Sequence, residues 1–133
     1  MDLTTSATQT IIRFQDRIQD WFRGTVTKNA ENEQAILADF DPAFHMIGIN
    51  GGSQTLTTLA AWLPVAYGSR PGVTVTIKDF VVHYEQPGMV LIGYEEVQEL
   101  ESGVNRRVGT ALFVPGPDGN AKWRYLQETV LPA

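Results

Sequence analysis

Residues 73–131 hold four long stretches rich in β-branched and aromatic side chains, and only short turn-like links separate them. The stretches are Val73–Glu85, Met89–Glu101, Val104–Val114 and Ala121–Leu131. The links are Gln86-Pro87-Gly88, Ser102-Gly103 and Pro115 to Asn120. Parallel pairing needs crossovers of a dozen or more residues, so links this short leave an antiparallel meander. Strands of this length twist and curve, and a curved sheet has a concave side that other elements must cover. The upstream half supplies the cover. Ile11, Phe14, Ile18, Trp21 and Phe22 recur at helical spacing within a helix expected over Thr5–Arg23, capped by Thr5 or Ser6 and stopped at Gly24. A second short helix follows Asn29, over Ala30–Ala38. A strand is expected at Phe44–Ile49, and a third helix over Ser53–Tyr67 that Pro64 kinks or ends.

The chain reads as one α+β domain of 133 residues with residues 1–5 as a flexible N-terminus. Apolar residues make up 43 % and charged residues 19 %, enough to build a buried core. Fifteen acidic against ten basic residues give a net charge of −5, which disfavours nucleic acid as a partner. There is no cysteine, so disulfides, thiolate metal sites and cysteine catalysis are excluded. Two histidines on different strands are a poor basis for a metal centre, and no cofactor motif is present. No apolar run is long enough to span a bilayer and the polar N-terminus is unlike a signal peptide, so a cytoplasmic location is expected.

Alternation with period two divides the meander into two sets. Pairing read from the turns places Glu95 opposite Thr110, and Thr110 opposite Tyr125. One face then collects Phe80, Tyr84, Glu95, Thr110, Trp123, Tyr125 and Gln127, and this face is assigned to the concave side under the helices. A few polar groups in an apolar cup make a small-molecule pocket. Glu95 is the expected acid–base group, because burial raises a carboxylate's pKa. A one-residue slip would turn Glu96 inward instead. His45 is a second proton carrier. Tyr84, Thr110, Tyr125 and Gln127 are candidate hydrogen-bonding contacts, with Trp123 and Trp62 as walls. The other face carries Ile92, Tyr94, Phe113 and Leu126 among charged residues, including Arg107 and Glu128. It is expected to form a homodimer interface. A bulge is expected near Lys78-Asp79, where the apolar parity changes.

Four segments carry a family resemblance. They are Phe40-Asp41-Pro42-Ala43-Phe44, Tyr94-Glu95-Glu96, Arg107-Val108-Gly109-Thr110-Ala111, and the run from Trp123 to Thr129. With the order of elements, they resemble the small SnoaL-like members of the nuclear transport factor two-like, ketosteroid isomerase-like superfamily, over about Thr5 to Pro132. The resemblance implies a cone-shaped, cystatin-like fold with an inner pocket for a small hydrophobic molecule. It also implies cofactor-independent isomerase, cyclase or dehydratase chemistry. Superfamily members also include non-catalytic binding and dimerisation modules, which is the alternative reading. Two departures stand out. Gln127 occupies the position where similar sequences carry histidine, and the first strand offers Phe44, His45 and Met46 but no carboxylate.

Overall fold

The computed structural model describes residues 1–132. The elements, in chain order, are α1 (Leu3–Arg23), α2 (Ala30–Leu37), β1 (Phe40–Ile47), β2 (Ser53–Thr55), α3 (Leu56–Ala66), β3 (Thr74–Gln86), β4 (Met89–Leu100), β5 (Gly103–Pro115) and β6 (Ala121–Val130). The strands form one six-stranded sheet in the order β2-β1-β6-β5-β4-β3. β3 to β6 are an antiparallel meander, and β1 pairs in parallel with β6. α1 begins earlier than the sequence suggests, because Asp2 rather than Thr5 or Ser6 caps it: its carboxylate accepts from Thr5 N at 2.7 Å. The segment Ser53–Thr55, expected as helix, pairs with β1, and Thr55 then caps α3. Pro64 lies in the last turn of α3 at an exposed position, so it ends the helix without disturbing the core.

α1 lies across the sheet and is tied to β6 by two hydrogen bonds. Thr10 donates its hydroxyl to Ala121 O (3.1 Å), and Ser6 Oγ accepts from Ala121 N (2.9 Å). Asp39, just before β1, receives Arg13 at 2.8 Å and Lys122 at 3.8 Å, holding helix, first strand and last strand together. The expected bulge is present: register shifts between Lys78 and Val81, and Asp79 has φ 58°.

The face assignment is the main correction. The helices cover Val90, Ile92, Tyr94, Ala111, Phe113, Trp123 and Leu126, all buried. Ile92, Tyr94, Phe113 and Leu126 therefore build the internal core and are not available as a dimer interface. On the opposite face, Val81, Tyr84 and Val104 are the large apolar side chains left exposed. The reversal has a local cause. In β5–β6, Phe113 pairs with Trp123 but Leu112 pairs with Tyr125, so Arg124 is an extra residue. This bulge moves Trp123 out of the set of Tyr125 and Gln127 and places it beside Phe113. The tryptophan thereby joins Ile92, Phe113 and Leu126 on the buried face and adds its large apolar surface to it. The β4–β5 register is also displaced, with Glu95 opposite Val108 and Gly93 opposite Thr110; because the shift is by two residues, those strands keep their parity.

Gly109 shows how tightly the covered face is packed. A Cβ there would sit 2.6 Å from the Tyr94 ring, which is itself buried. Gly109→Ala is expected to lower stability by about 1–3 kcal/mol through overpacking, measurable as a lower melting temperature.

Candidate functional site

A cavity of about 430 Å³ lies between the helices and the covered face of the sheet. Its apolar wall comes from α1 (Phe14, Ile18, Phe22), from Phe44 and Met46 on β1, and from Trp62 on α3. Trp123 lies deeper, stacked on Phe40 (centroids 5.8 Å, interplanar angle 13°) and edge-on to Phe14 (5.6 Å). The turn after β1, including Gly48, Asn50 and Gly52, also lines the cavity.

The polar end is built from three adjacent strands. Glu96 pairs across β4–β5 with Arg107, and Glu128 of β6 lies opposite Gly109, so the three side chains converge. Gln15 of α1 donates Nε2 to Glu96 Oε1 at 3.0 Å, and Gln98 donates Nε2 to Glu96 Oε2 at 2.5 Å. Gln98 Oε1 in turn accepts from Arg70 Nη1, and the Arg70 guanidinium lies 4.6 Å from the Phe22 ring centroid. Arg107 Nη1 stands 3.5 Å from Glu128 Oε1, while its Nε and Nη2 donate to Asn105 Oδ1 at 3.1 and 2.7 Å.

Burial, reinforced by the negative charge of Glu96, raises the Glu128 pKa from its ordinary value to about 7, against the weaker opposing pull of Arg107 and Arg70. Burial also pushes the Tyr94 hydroxyl well above its ordinary value. That hydroxyl, Trp123 Nε1 and Gln54 Oε1 are buried polar atoms that make no hydrogen bond. Trp123 and Gln54 both line the cavity with other atoms, while these polar atoms are buried away from its open space.

The raised pKa of Glu128 has a measurable consequence. In the folded state Glu128 holds its proton up to about pH 7; in the unfolded chain it loses it near 4.5. Between these values the folded state binds more protons, so stability falls as pH rises, by up to about 3 kcal/mol for a shift of this size. Glu95, Asp2 and Asp118 act in the opposite sense, because their pKa values are lowered; their contributions are lost as pH falls below the ordinary carboxylate range. Urea unfolding from about pH 4.5 to 8 should show the decline in the native chain and a flatter profile in Glu128→Gln.

The residues singled out from sequence fall in two places. Trp62 and Trp123 line the cavity. Glu95, His45, Tyr84, Thr110, Tyr125 and Gln127 do not, because they lie on the opposite face of the sheet. Glu95 is bound there by Arg106 (2.9 Å) and Lys78 (3.4 Å), which lower its pKa rather than raise it. His45 meets the Tyr125 ring edge-on at 6.2 Å and hydrogen-bonds Ser53 Oγ. Tyr125 donates to Gln127 at 3.2 Å, and Tyr84 to Gln86 at 2.9 Å. The departure at Gln127 therefore concerns a residue that points away from the cavity, whereas its neighbour Glu128 lines it. Glu128, Arg70, Gln15 and Gln98 were not recognised as site residues. A usable signal was present: Glu96, Gln98, Arg107 and Glu128 are polar residues clustered at one end of an otherwise apolar face.

No family model matches the chain, and no curated protein matches it. Solved structures do. An NTF2-like protein of unknown function from Pseudomonas aeruginosa is 25 % identical, with a TM-score of 0.88 over 96 % of this chain and 99 % of that one. An NTF2-like protein from Cytophaga hutchinsonii is 14 % identical, with a TM-score of 0.74 over 98 % and 100 %. A protein of unknown function with a cystatin-like fold from Nostoc punctiforme is 11 % identical, with a TM-score of 0.74 over 100 % and 97 %. The chain has the α+β fold of these NTF2-like and cystatin-like proteins. Among the described residues, no helix is long and apolar enough to cross a membrane.

Proposed function

We propose that the protein binds a small, largely apolar molecule in the cavity and moves a proton on it, with Glu128 as the acid–base group. The observation that carries this reading is a carboxyl with a pKa of about 7 lining an apolar space of about 430 Å³. A group of that pKa is present in both protonation states at neutral pH, which is the requirement for general acid–base catalysis. Glu128 replaces Glu95 and His45 in the role expected from sequence. Trp62 and Phe14 supply apolar walls. Proton removal beside a carbonyl is the step shared by isomerases and many cyclases and dehydratases, in keeping with the SnoaL-like resemblance. It needs no cofactor.

The test follows α-proton exchange of β-tetralone, a small apolar ketone, in deuterated water by NMR. Catalysed exchange that is lost in Glu128→Gln supports the reading. Binding of the ketone with exchange no faster than in buffer makes the cavity a non-catalytic binding site, the alternative function.

A further inference from the structure

The charges at the polar end of the cavity are unevenly matched. Glu96 is served by two neutral amides, Gln15 and Gln98, each on one oxygen. Arg70 is served by the Gln98 amide oxygen and the face of Phe22, and none of the salt bridges among the described residues involves it. Arg107 is 3.5 Å from Glu128, and both side chains are nearly covered, at 11 % and 12 % exposure. Burial lowers the Arg70 pKa and the positive charge of Arg107 lowers it further, against the weaker opposing pull of Glu96 and Glu128, so the two guanidinium groups feel each other across the same space. A part-buried guanidinium without a carboxylate is costly, and an incoming anion would relieve that cost.

We propose that the cavity selects molecules with an apolar body and one carboxylate, the carboxylate lying against Arg70 and Arg107 and the body against Trp62, Trp123 and Phe14. This rests on the cavity being the ligand site proposed above and adds the chemical class of the ligand. The charge arithmetic argues for one negative charge. With Glu128 protonated, two guanidinium groups face the single carboxylate of Glu96, one negative charge short of balance; a dianion would overshoot. Glu128, near half-protonated at neutral pH, adjusts to the ligand. The charged and titratable groups that act on it are Glu96 and Tyr94 from β4, Arg107 from β5 and Arg70 from the segment before β3. A bound carboxylate adds negative charge and holds the proton on Glu128, so binding takes up a proton and strengthens as pH falls through about 7. Protonated Glu128 can then donate its own hydrogen bond to the ligand.

Cinnamate and cinnamyl alcohol share one apolar body and differ in the carboxylate, so calorimetric titration of the pair isolates the charge. The native protein should bind cinnamate about ten-fold more tightly than the alcohol at about pH 6, with the ratio shrinking several-fold by about pH 8.5. Arg70→Gln should reduce the ratio towards unity, and Arg70→Lys should retain part of it. Should Arg70→Gln fail to fold, the native ratio and its pH trend decide alone. Equal binding of acid and alcohol, or a ratio that grows with pH, overturns the carboxylate assignment while leaving the cavity as a ligand site. Binding of neither compound removes the cavity reading, and this inference with it.

Discussion

Glu128→Gln is expected to slow the protein-dependent exchange of β-tetralone α-protons by about 10²–10⁴-fold, the usual contribution of a positioned acid–base group. The amide keeps the shape of the carboxyl and its hydrogen bonding towards Arg107, but it neither takes up nor releases a proton. In the native protein the exchange rate should rise with pH and level off above about 7, following the ionised fraction of Glu128. Glu95→Gln is the control. Glu95 lies on the opposite face with Arg106 and Lys78, so its loss should leave the profile unaltered. A Glu95→Gln variant that lost the exchange while Glu128→Gln retained it would reverse the assignment of roles.

Trp123→Ala should lower the free energy of unfolding by about 3–5 kcal/mol, read by urea or thermal denaturation. Trp123 is 1 % exposed and touches four other aromatic rings: Phe14, Phe40, Tyr94 and Phe113. Its Nε1–H makes no hydrogen bond, so the loss is one of packing and apolar burial. Because Trp123 also lines the cavity, its removal should enlarge the binding space and weaken the cinnamate body's contacts. Trp123→Phe should recover most of the stability, since a ring of similar thickness still stacks on Phe40. A variant with native stability would mean that Trp123 is not a keystone of the packed face.

The order of elements was legible from the sequence, since helical spacing and short turns constrain the chain locally. Asn29 caps α2, and the Asp79 bulge falls where apolar parity changes. The site was less legible, for a reason that can be located. Alternation assigns residues to two sets, but which set turns inward depends on the summed apolar area of each. An extra residue, Arg124, moves Trp123 from one set to the other, and the register shifts in β3 bring Val82 rather than Val81 opposite Ile92. The consequence ran through the candidates on the meander other than Trp123: Glu95 gave way to Glu96, Gln127 to Glu128, and the proposed dimer contacts became core. Arg70 was invisible for another reason. It lies in a connector whose pattern is that of a turn, and only the folded chain brings it beside Gln98, 28 positions away.

The parallel pairing of β1 with β6, with Ser6 and Thr10 bonded to Ala121 across 115 and 111 positions, bears on how the molecule is made. During synthesis the early helices and the first strand leave the ribosome long before the segment that completes them. Ile18, Trp21 and Phe22 find partners in Leu63, Ala66 and Val73, but the N-terminal part of α1, with Ala7 and Ile11, must wait for the late strands to be made. Assembly is thus deferred to the end of translation and dominated by distant contacts, which makes it slow for a chain of this size. A ribosome stalled before Ala121 would hold a sticky fragment that chaperones should recognise.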